Sequence, residues 1–160
     1  MNNNKTKALT QGAVIAALYV VLTLLAKLFG LDSGQIQLRL SEALCILPVF
    51  LPAAVPGLTV GCLLANLLCG NIIWDVVFGT LATLWGAVGT RLLRQRPRLA
   101  LLPPILSNTL IVPFVLSYAY GIPGSIPFFM LTVGIGEVIS CGLLGHLLYN
   151  TLDKHKTNLF

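Results

Sequence analysis

Three carboxylates and one arginine stand within or beside long apolar runs of this sequence. They are Glu42, Asp75, Glu137 and Arg39. An ionisable side chain inside a bilayer costs about 2.5–3.5 kcal/mol on insertion scales, so each is a candidate functional residue if the apolar runs lie in a membrane. Carboxylates accept hydrogen bonds from N–H groups, and an arginine donates to a carbonyl or pairs with an acid. This chemistry is that of a polar binding site.

The composition places the apolar runs in lipid. The chain has 160 residues, of which 56% are hydrophobic and 9% are charged, and its mean hydropathy is +0.89. A soluble domain carries about 25% charged residues, and a disordered chain is poor in hydrophobic ones. The net charge of +5 comes in short clusters beside apolar runs, which indicates topology rather than nucleic-acid binding. We therefore expect a multi-pass protein of the cell membrane.

The apolar runs predict an all-α integral membrane protein, with residues 1–160 forming one domain of six transmembrane helices. The charge-free stretch 43–74 is too long for one helix, and Pro48, Pro52 and especially Pro56-Gly57 are predicted to break it. A second break at residues 120–124 separates the last two helices. The expected spans are approximately 8–27, 40–55, 57–70, 72–93, 99–119 and 126–149.

The basic residues predict that both termini are cytoplasmic. With six spans, eight of the ten basic residues fall on one side of the membrane, and Lys27 and Arg39 fall on the other. Positive loops stay inside, so the first side is the cytoplasm. An odd number of spans would place the arginines of residues 91–98 and the lysines of the C-terminus on opposite sides of the membrane. The eight residues are Lys5, Lys7, Arg91, Arg94, Arg96, Arg98, Lys154 and Lys156.

The same topology predicts a polar pocket that opens to the outside. Glu42 and Asp75 lie near the outer ends of the second and fourth spans, and Glu137 lies roughly 16 Å into the sixth at 1.5 Å per residue. Asn66 and Asn71 close the third span on the same outer side. We expect these side chains to contact a ligand.

Four residues of this region have two interpretations each. Arg39 and Glu42 are three residues apart, so they form either a structural ion pair or part of the ligand site. Trp74 either stacks on a planar ligand or anchors the helix at the membrane interface. Asn108 either contacts the ligand or bonds a neighbouring backbone group.

The first span carries a stripe of small residues. Gly12, Ala13, Ala16 and Ala17 form two overlapping pairs of small residues four apart, which allow another helix to approach closely. The spacing is compatible with packing inside this chain and with docking of a partner.

Motifs of an enzyme or of an ATP-driven motor are missing from the sequence. There is no P-loop, no nucleophile motif and no histidine pair in a metal-ligand spacing. The two halves show no inverted repeat of the kind that carriers have. A small membrane chain with a polar pocket and no energy source is predicted to be a binding subunit without enzymatic activity, cofactor or metal.

Three segments carry a resemblance to a known family. Residues 36–44, 56–67 and 75–87 read IQLRLSEAL, PGLTVGCLLANL and DVVFGTLATLWGA. Together with six short spans and an Ala-x-x-x-Ala on the first, they resemble an S component of an energy-coupling factor (ECF) transporter, and more narrowly the QueT family. The resemblance extends from about Thr10 to Leu152.

The resemblance implies the uptake of a queuosine precursor, which is a 7-deazaguanine. It also implies a membrane coupling subunit and two cytoplasmic ATPase subunits, with Ala13 and Ala17 matching the motif that contacts the coupling subunit. The substrate-binding residues expected in such a protein are Arg39, Glu42, Asn66, Asn71, Trp74, Asp75, Asn108 and Glu137. The alternatives are an S component for another small vitamin or nucleobase, and a self-sufficient proton-coupled carrier that uses Asp75 or Glu137.

Overall fold

The chain folds into a bundle of helices. The computed structural model describes residues 3–31 and 36–159, of which no residue is in a strand, and 80% of the chain is helical. This confirms the all-α prediction. The elements are α1 (Asn3–Leu28), a 3₁₀ helix (Leu40–Val49), α2 (Ala54–Leu68), α3 (Ile73–Leu92), α4 (Leu102–Phe114) with a π-helical extension (Val115–Ala119), α5 (Ile126–Glu137), a second π-helical segment (Val138–Leu144) and α6 (Gly145–Leu159).

Four helical stretches are long and apolar enough to cross a membrane. They are Asn4–Leu28, Ile73–Leu92, Leu102–Ala119 and Ile126–His155. Two shorter apolar helices, Leu40–Val49 and Ala54–Leu68, lie where the second and third spans are predicted. The chain is thus a helical membrane protein with four candidate spans and two shorter helices, and the crossing of the membrane by the shorter two stays a prediction.

The break between the two short helices falls at residues 50–53, which include Pro52, one of the three predicted breaks. It does not fall at Pro56-Gly57, which the sequence favours most. Pro56 lies in the first turn of α2, where a backbone N–H has no partner within the helix, so a proline is tolerated there. The preceding helix also differs from the expected α-helix, because it is 3₁₀ over all ten residues. At a rise of about 2.0 Å per residue, it extends farther along its axis than ten α-helical residues.

Small residues bring α1 and α2 into close contact. A Cβ atom at Gly57 would lie 2.8 Å from the carbonyl oxygen of Gly12, and one at Gly61 would lie 3.0 Å from Cα of Ala16. Because the later residues of α1 face the later residues of α2, the two helices are parallel. The small residues of α1 do not all face α2: Ala16 is buried, whereas Ala13 and Ala17 are exposed.

Glycines also set the packing of the second half of the bundle. A Cβ atom at Gly86 would lie 2.7 Å from Cα of Pro104, and Gly89 is in contact with Pro103, so α3 and α4 run antiparallel. Helix α5 with its continuation is antiparallel to α4, since Gly134 lies beside Thr109 and Gly145 beside Leu101. The bundle thus has six segments: α1, the 3₁₀ helix, α2, α3, α4, and α5 with its continuation into α6. Successive segments alternate in direction.

Both ends of the described chain lie at the same end of this bundle. Leu148 and Leu152 of α6 pack on the same cluster as Leu51 and Val55, and Arg91 donates to the carbonyl of Pro48 at 3.0 Å. Most basic residues lie on helices that begin or finish here or on the connection between α3 and α4: Lys5, Lys7, Arg91, Arg94, Arg96, Arg98 and Lys154. We call this the basic end.

Candidate ligand-binding site

A polar cavity of about 210 Å³ lies at the opposite end of the bundle from the basic end. It is bounded by the last turns of α1 and α2, the start of α3, the last turns of α4 and the segment that precedes the 3₁₀ helix. Its lining residues are Tyr19, Thr23, Ala26, Gln37, Arg39, Ser41, Asn66, Cys69, Asn71, Asp75, Val112, Leu116, Tyr120 and Ile122.

Asp75 is the centre of a hydrogen-bond network in the cavity wall. Asn71 Nδ2 donates to Asp75 Oδ2 at 2.9 Å and to Asn66 Oδ1 at 3.1 Å, and Tyr120 Oη donates to Asp75 Oδ2 at 3.1 Å. The carboxylate lies in the first turn of α3, where the helix dipole favours a negative charge. Gly70 makes the turn before it with a φ of 71°. Both donors reach Oδ2, which leaves Oδ1 for a ligand.

Arg39 lines the same cavity as Asp75 and lies on a short stretch without regular structure. Its backbone N–H donates to Ser140 Oγ at 3.1 Å, which ties this stretch to the second π-helical segment. Burial lowers the pKa of Arg39, but the charges of Asp75 and Glu42 raise it, and the net pKa lies above the ordinary value of arginine. The guanidinium is therefore always a cation.

Tyr120 remains a hydrogen-bond donor in this environment. Burial raises the pKa of its phenol, and the charge of Asp75 raises it further. The phenol is consequently protonated at neutral pH, and it holds the carboxylate of Asp75 in place.

Glu42 does not line the cavity. Its side chain is fully buried, Tyr19 Oη donates to its Oε1 at 2.6 Å, and Cys45 Sγ donates to its Oε2 at 3.0 Å. Both carboxylate oxygens are occupied by these groups rather than by Arg39. Because Tyr19 lines the cavity, Glu42 fixes the orientation of one wall.

Glu137 and Asn108 form a second buried pair next to the cavity. Asn108 Nδ2 donates to Glu137 Oε1 at 3.0 Å, while Glu137 Oε2 is buried with no partner among the described residues. A small void of about 10 Å³ adjoins this carboxylate, and the α-helix changes to π-helical immediately after it. Such π segments are frequent at functional sites. The void is lined by Gln37, Arg39, Val112, Val133 and Glu137.

Trp74 lies outside the cavity. Its side chain is 57% exposed and stacks on Phe78 with ring centroids 6.1 Å apart, beside a separate apolar groove between α3 and α4. Neighbouring helical residues point about 100° apart, so Asp75 can face the cavity only if Trp74 turns away. This geometry agrees with an anchoring role rather than with the stacking interpretation.

The aromatic residues that do line the cavity are Tyr19 and Tyr120, and neither is among the site residues predicted from the sequence. A signal for Tyr19 exists, because Thr23 and Ala26 share its helix face at spacings of four and seven. No such periodic signal marks Tyr120, which follows the last helical turn before a Gly-Ile-Pro-Gly loop.

A family model described as QueT transporter matches residues 9–154 of this chain, which include every lining residue of the cavity. The chain belongs to the QueT transporter family. This confirms the family predicted from the three sequence segments. It also agrees with a multi-pass membrane protein, since QueT proteins are transporters and this chain has four apolar helices long enough to cross a bilayer.

One curated relative is the queuosine precursor transporter QueT of Lactococcus lactis subsp. cremoris (strain MG1363). It is 38% identical over 85 residues, which are 52% of this QueT chain and 49% of that relative. The chain therefore spans about half the length of the relative that it matches. No solved structure matches the chain.

Proposed function

We propose that this QueT protein is the substrate-binding membrane subunit of an ECF-type importer, which captures a queuosine precursor of the 7-deazaguanine type outside the cell. The cavity carries the proposal: it combines a carboxylate with one free oxygen, an arginine and three amides. The substrate named for the relative from Lactococcus lactis supports the choice of ligand.

The polar wall suits the edge of a guanine-like base. Such an edge presents N–H donors, for which Asp75 Oδ1 is a charge-assisted acceptor. The exocyclic carbonyl of the base is an acceptor, and Arg39 is a donor in the lining of the same cavity. Tyr19 and Tyr120 add aromatic surface for the flat ring.

The size of the cavity favours a free base over a nucleoside or nucleotide. Sites for drug-sized ligands measure about 300–1,000 Å³, and this cavity of about 210 Å³ is smaller. Arg39 is its one basic lining residue among the described residues, and a phosphate group would require more positive charge.

A binding measurement tests the proposal. The purified full chain is expected to melt at a higher temperature in the presence of 7-aminomethyl-7-deazaguanine, since a ligand at a hundred times its Kd stabilises by about 2.7 kcal/mol. Guanosine and thiamine serve as controls. A midpoint that rises with thiamine or another vitamin but not with any 7-deazaguanine would instead support an S component for a different substrate.

We further propose that all six segments cross the membrane, with both termini in the cytoplasm and the cavity open to the outside. The alternating directions of the segments and the seven basic residues of the basic end support this topology. The 3₁₀ helix and α2 are short for a bilayer, but each is buried against the longer helices over much of its length.

Labelling of introduced cysteines in intact cells tests the topology. Native Cys69 lines the cavity, so it is first replaced by serine. A membrane-impermeant thiol reagent is expected to label Lys27→Cys, at the cavity end, and to miss Arg96→Cys, at the basic end. Efficient labelling of Arg96→Cys from outside would show that the topology is inverted.

The energising partners in this proposal are a membrane coupling subunit and two cytoplasmic ATPases. The exposed positions of Ala13 and Ala17 support docking of a helix on α1. If uptake persists after the ATPase subunits are depleted, the chain is a self-sufficient carrier.

A further inference from the structure

The free oxygen of Glu137 is the starting observation. Glu137 is 6% exposed, and its Oε2 atom is buried without a hydrogen-bond partner in the part of the chain that the structure describes. An unsatisfied buried polar atom costs about 1–3 kcal/mol, and more when the group is charged. A protein retains such an atom when something else satisfies it, such as a proton, a water molecule or a ligand.

The void beside Glu137 shares part of its wall with the main cavity. Gln37, Arg39 and Val112 line both spaces. Two of these residues, Gln37 and Arg39, lie on the stretch without regular structure before the 3₁₀ helix. The void of about 10 Å³ approaches the space that one water molecule needs, which is also the size of one ammonium group.

The charges around these spaces are unbalanced. Glu42, Asp75 and Glu137 are buried, and Arg39 is the basic residue that lies among them. Lys27 does not correct the balance, because its exposed Nζ donates to the carbonyl of Cys69 at 2.6 Å. A buried carboxylate without a counter-charge is costly, so such a group holds a proton unless a cation takes the place of that proton.

We propose that Glu137 receives a positively charged substituent of the ligand, and that the site therefore prefers a cationic base to a neutral one. This inference rests on the proposed function. Asp75 holds the N–H edge of the ring, Arg39 holds its carbonyl, and Glu137 Oε2 accepts from an ammonium group on the remaining side. A trapped water is the competing occupant of the void, and it predicts no preference for ligand charge.

Two ligands with the same ring test the inference. An aminomethyl group at position 7 of 7-deazaguanine is a cation at neutral pH, and a nitrile at the same position is neutral. Titration calorimetry on the purified full chain is expected to give at least tenfold tighter binding of the aminomethyl compound. Glu137→Gln should reduce this ratio to about threefold or less by weakening the aminomethyl compound alone.

Glu42→Gln is the matched control, because it removes a carboxylate that is equally buried but has both oxygens occupied. This variant is expected to change the ratio of the affinities for the two ligands by less than about threefold, even if it lowers the stability of the protein. Asp75→Asn should weaken both ligands by a similar factor.

The outcomes separate this inference from the function on which it rests. Equal binding of the two ligands by the unaltered chain, or an unchanged ratio in a folded Glu137→Gln variant, overturns the role of Glu137 and leaves the function intact. Binding of neither 7-deazaguanine overturns the proposed function, and this inference with it. The ratio in the unaltered chain decides the matter even if Glu137→Gln does not fold.

Discussion

Replacement of Asp75 by asparagine is expected to weaken the binding of a 7-deazaguanine more than tenfold while the protein still folds. A hydrogen bond to a charged group contributes about 1.5–3 kcal/mol, and 1.4 kcal/mol corresponds to a factor of ten in Kd. The fold should survive, because the asparagine oxygen can still accept from Asn71 or Tyr120 in place of Asp75 Oδ2. Titration calorimetry gives the affinity, and the melting temperature of the ligand-free variant reports the fold.

Asp153→Asn is the control for the loss of a carboxylate, since Asp153 lies on α6 at the basic end, away from the cavity. Its affinity for the ligand should stay within about twofold of the unaltered chain. If Asp75→Asn binds as tightly as this control, the carboxylate of Asp75 has a structural role in the network with Asn71, and the assignment of the ligand edge to it is wrong.

Bulky residues at Ala13 and Ala17 are expected to abolish uptake without loss of ligand binding. Both alanines are exposed on α1, so leucines there project from the bundle and not into it. Overpacking costs roughly 1–3 kcal/mol per site, and two such sites would weaken the docking of a coupling subunit more than tenfold. Uptake in cells and co-purification with the coupling subunit measure this effect, and thermal shift with the ligand measures binding.

Ala16→Leu provides a contrast on the same helix. Ala16 is buried against Gly61 of α2, so added bulk at this position should lower the melting temperature of the isolated chain. The double variant of Ala13 and Ala17 should melt close to the unaltered chain. A double variant that loses the ligand yet still co-purifies with the coupling subunit would contradict the docking of α1.

The sequence is most informative about features that depend on composition or on short spacings. A chain with 9% charged residues cannot form a hydrated surface, so its placement in a membrane follows without any coordinates. Asn71 and Asp75 are four residues apart across the start of a helix, and their hydrogen bond is a local one. Helix breaks at proline and glycine are equally local, although Pro56 shows that the first turn of a helix also accepts a proline.

The sequence alone cannot decide which of several similar residues face the same space. Glu42 and Glu137 are both carboxylates in apolar runs, but Glu42 is satisfied by Tyr19, a residue 23 positions away, and Glu137 keeps a free oxygen. Trp74 and Asp75 are adjacent, yet one faces outward and the other the cavity.

The sequence by itself therefore determined that this protein lies in a membrane, that it is helical and to which family it belongs. The tertiary structure decided which polar groups are in contact. The small-residue stripe of α1 follows the same division: its spacing predicts close packing, and only the fold assigns Gly12 and Ala16 to α2 and leaves Ala13 and Ala17 exposed. The physical reason is that composition and local spacing act within one or two turns. The rotation of each helix about its axis is instead set by contacts with helices far away in the sequence.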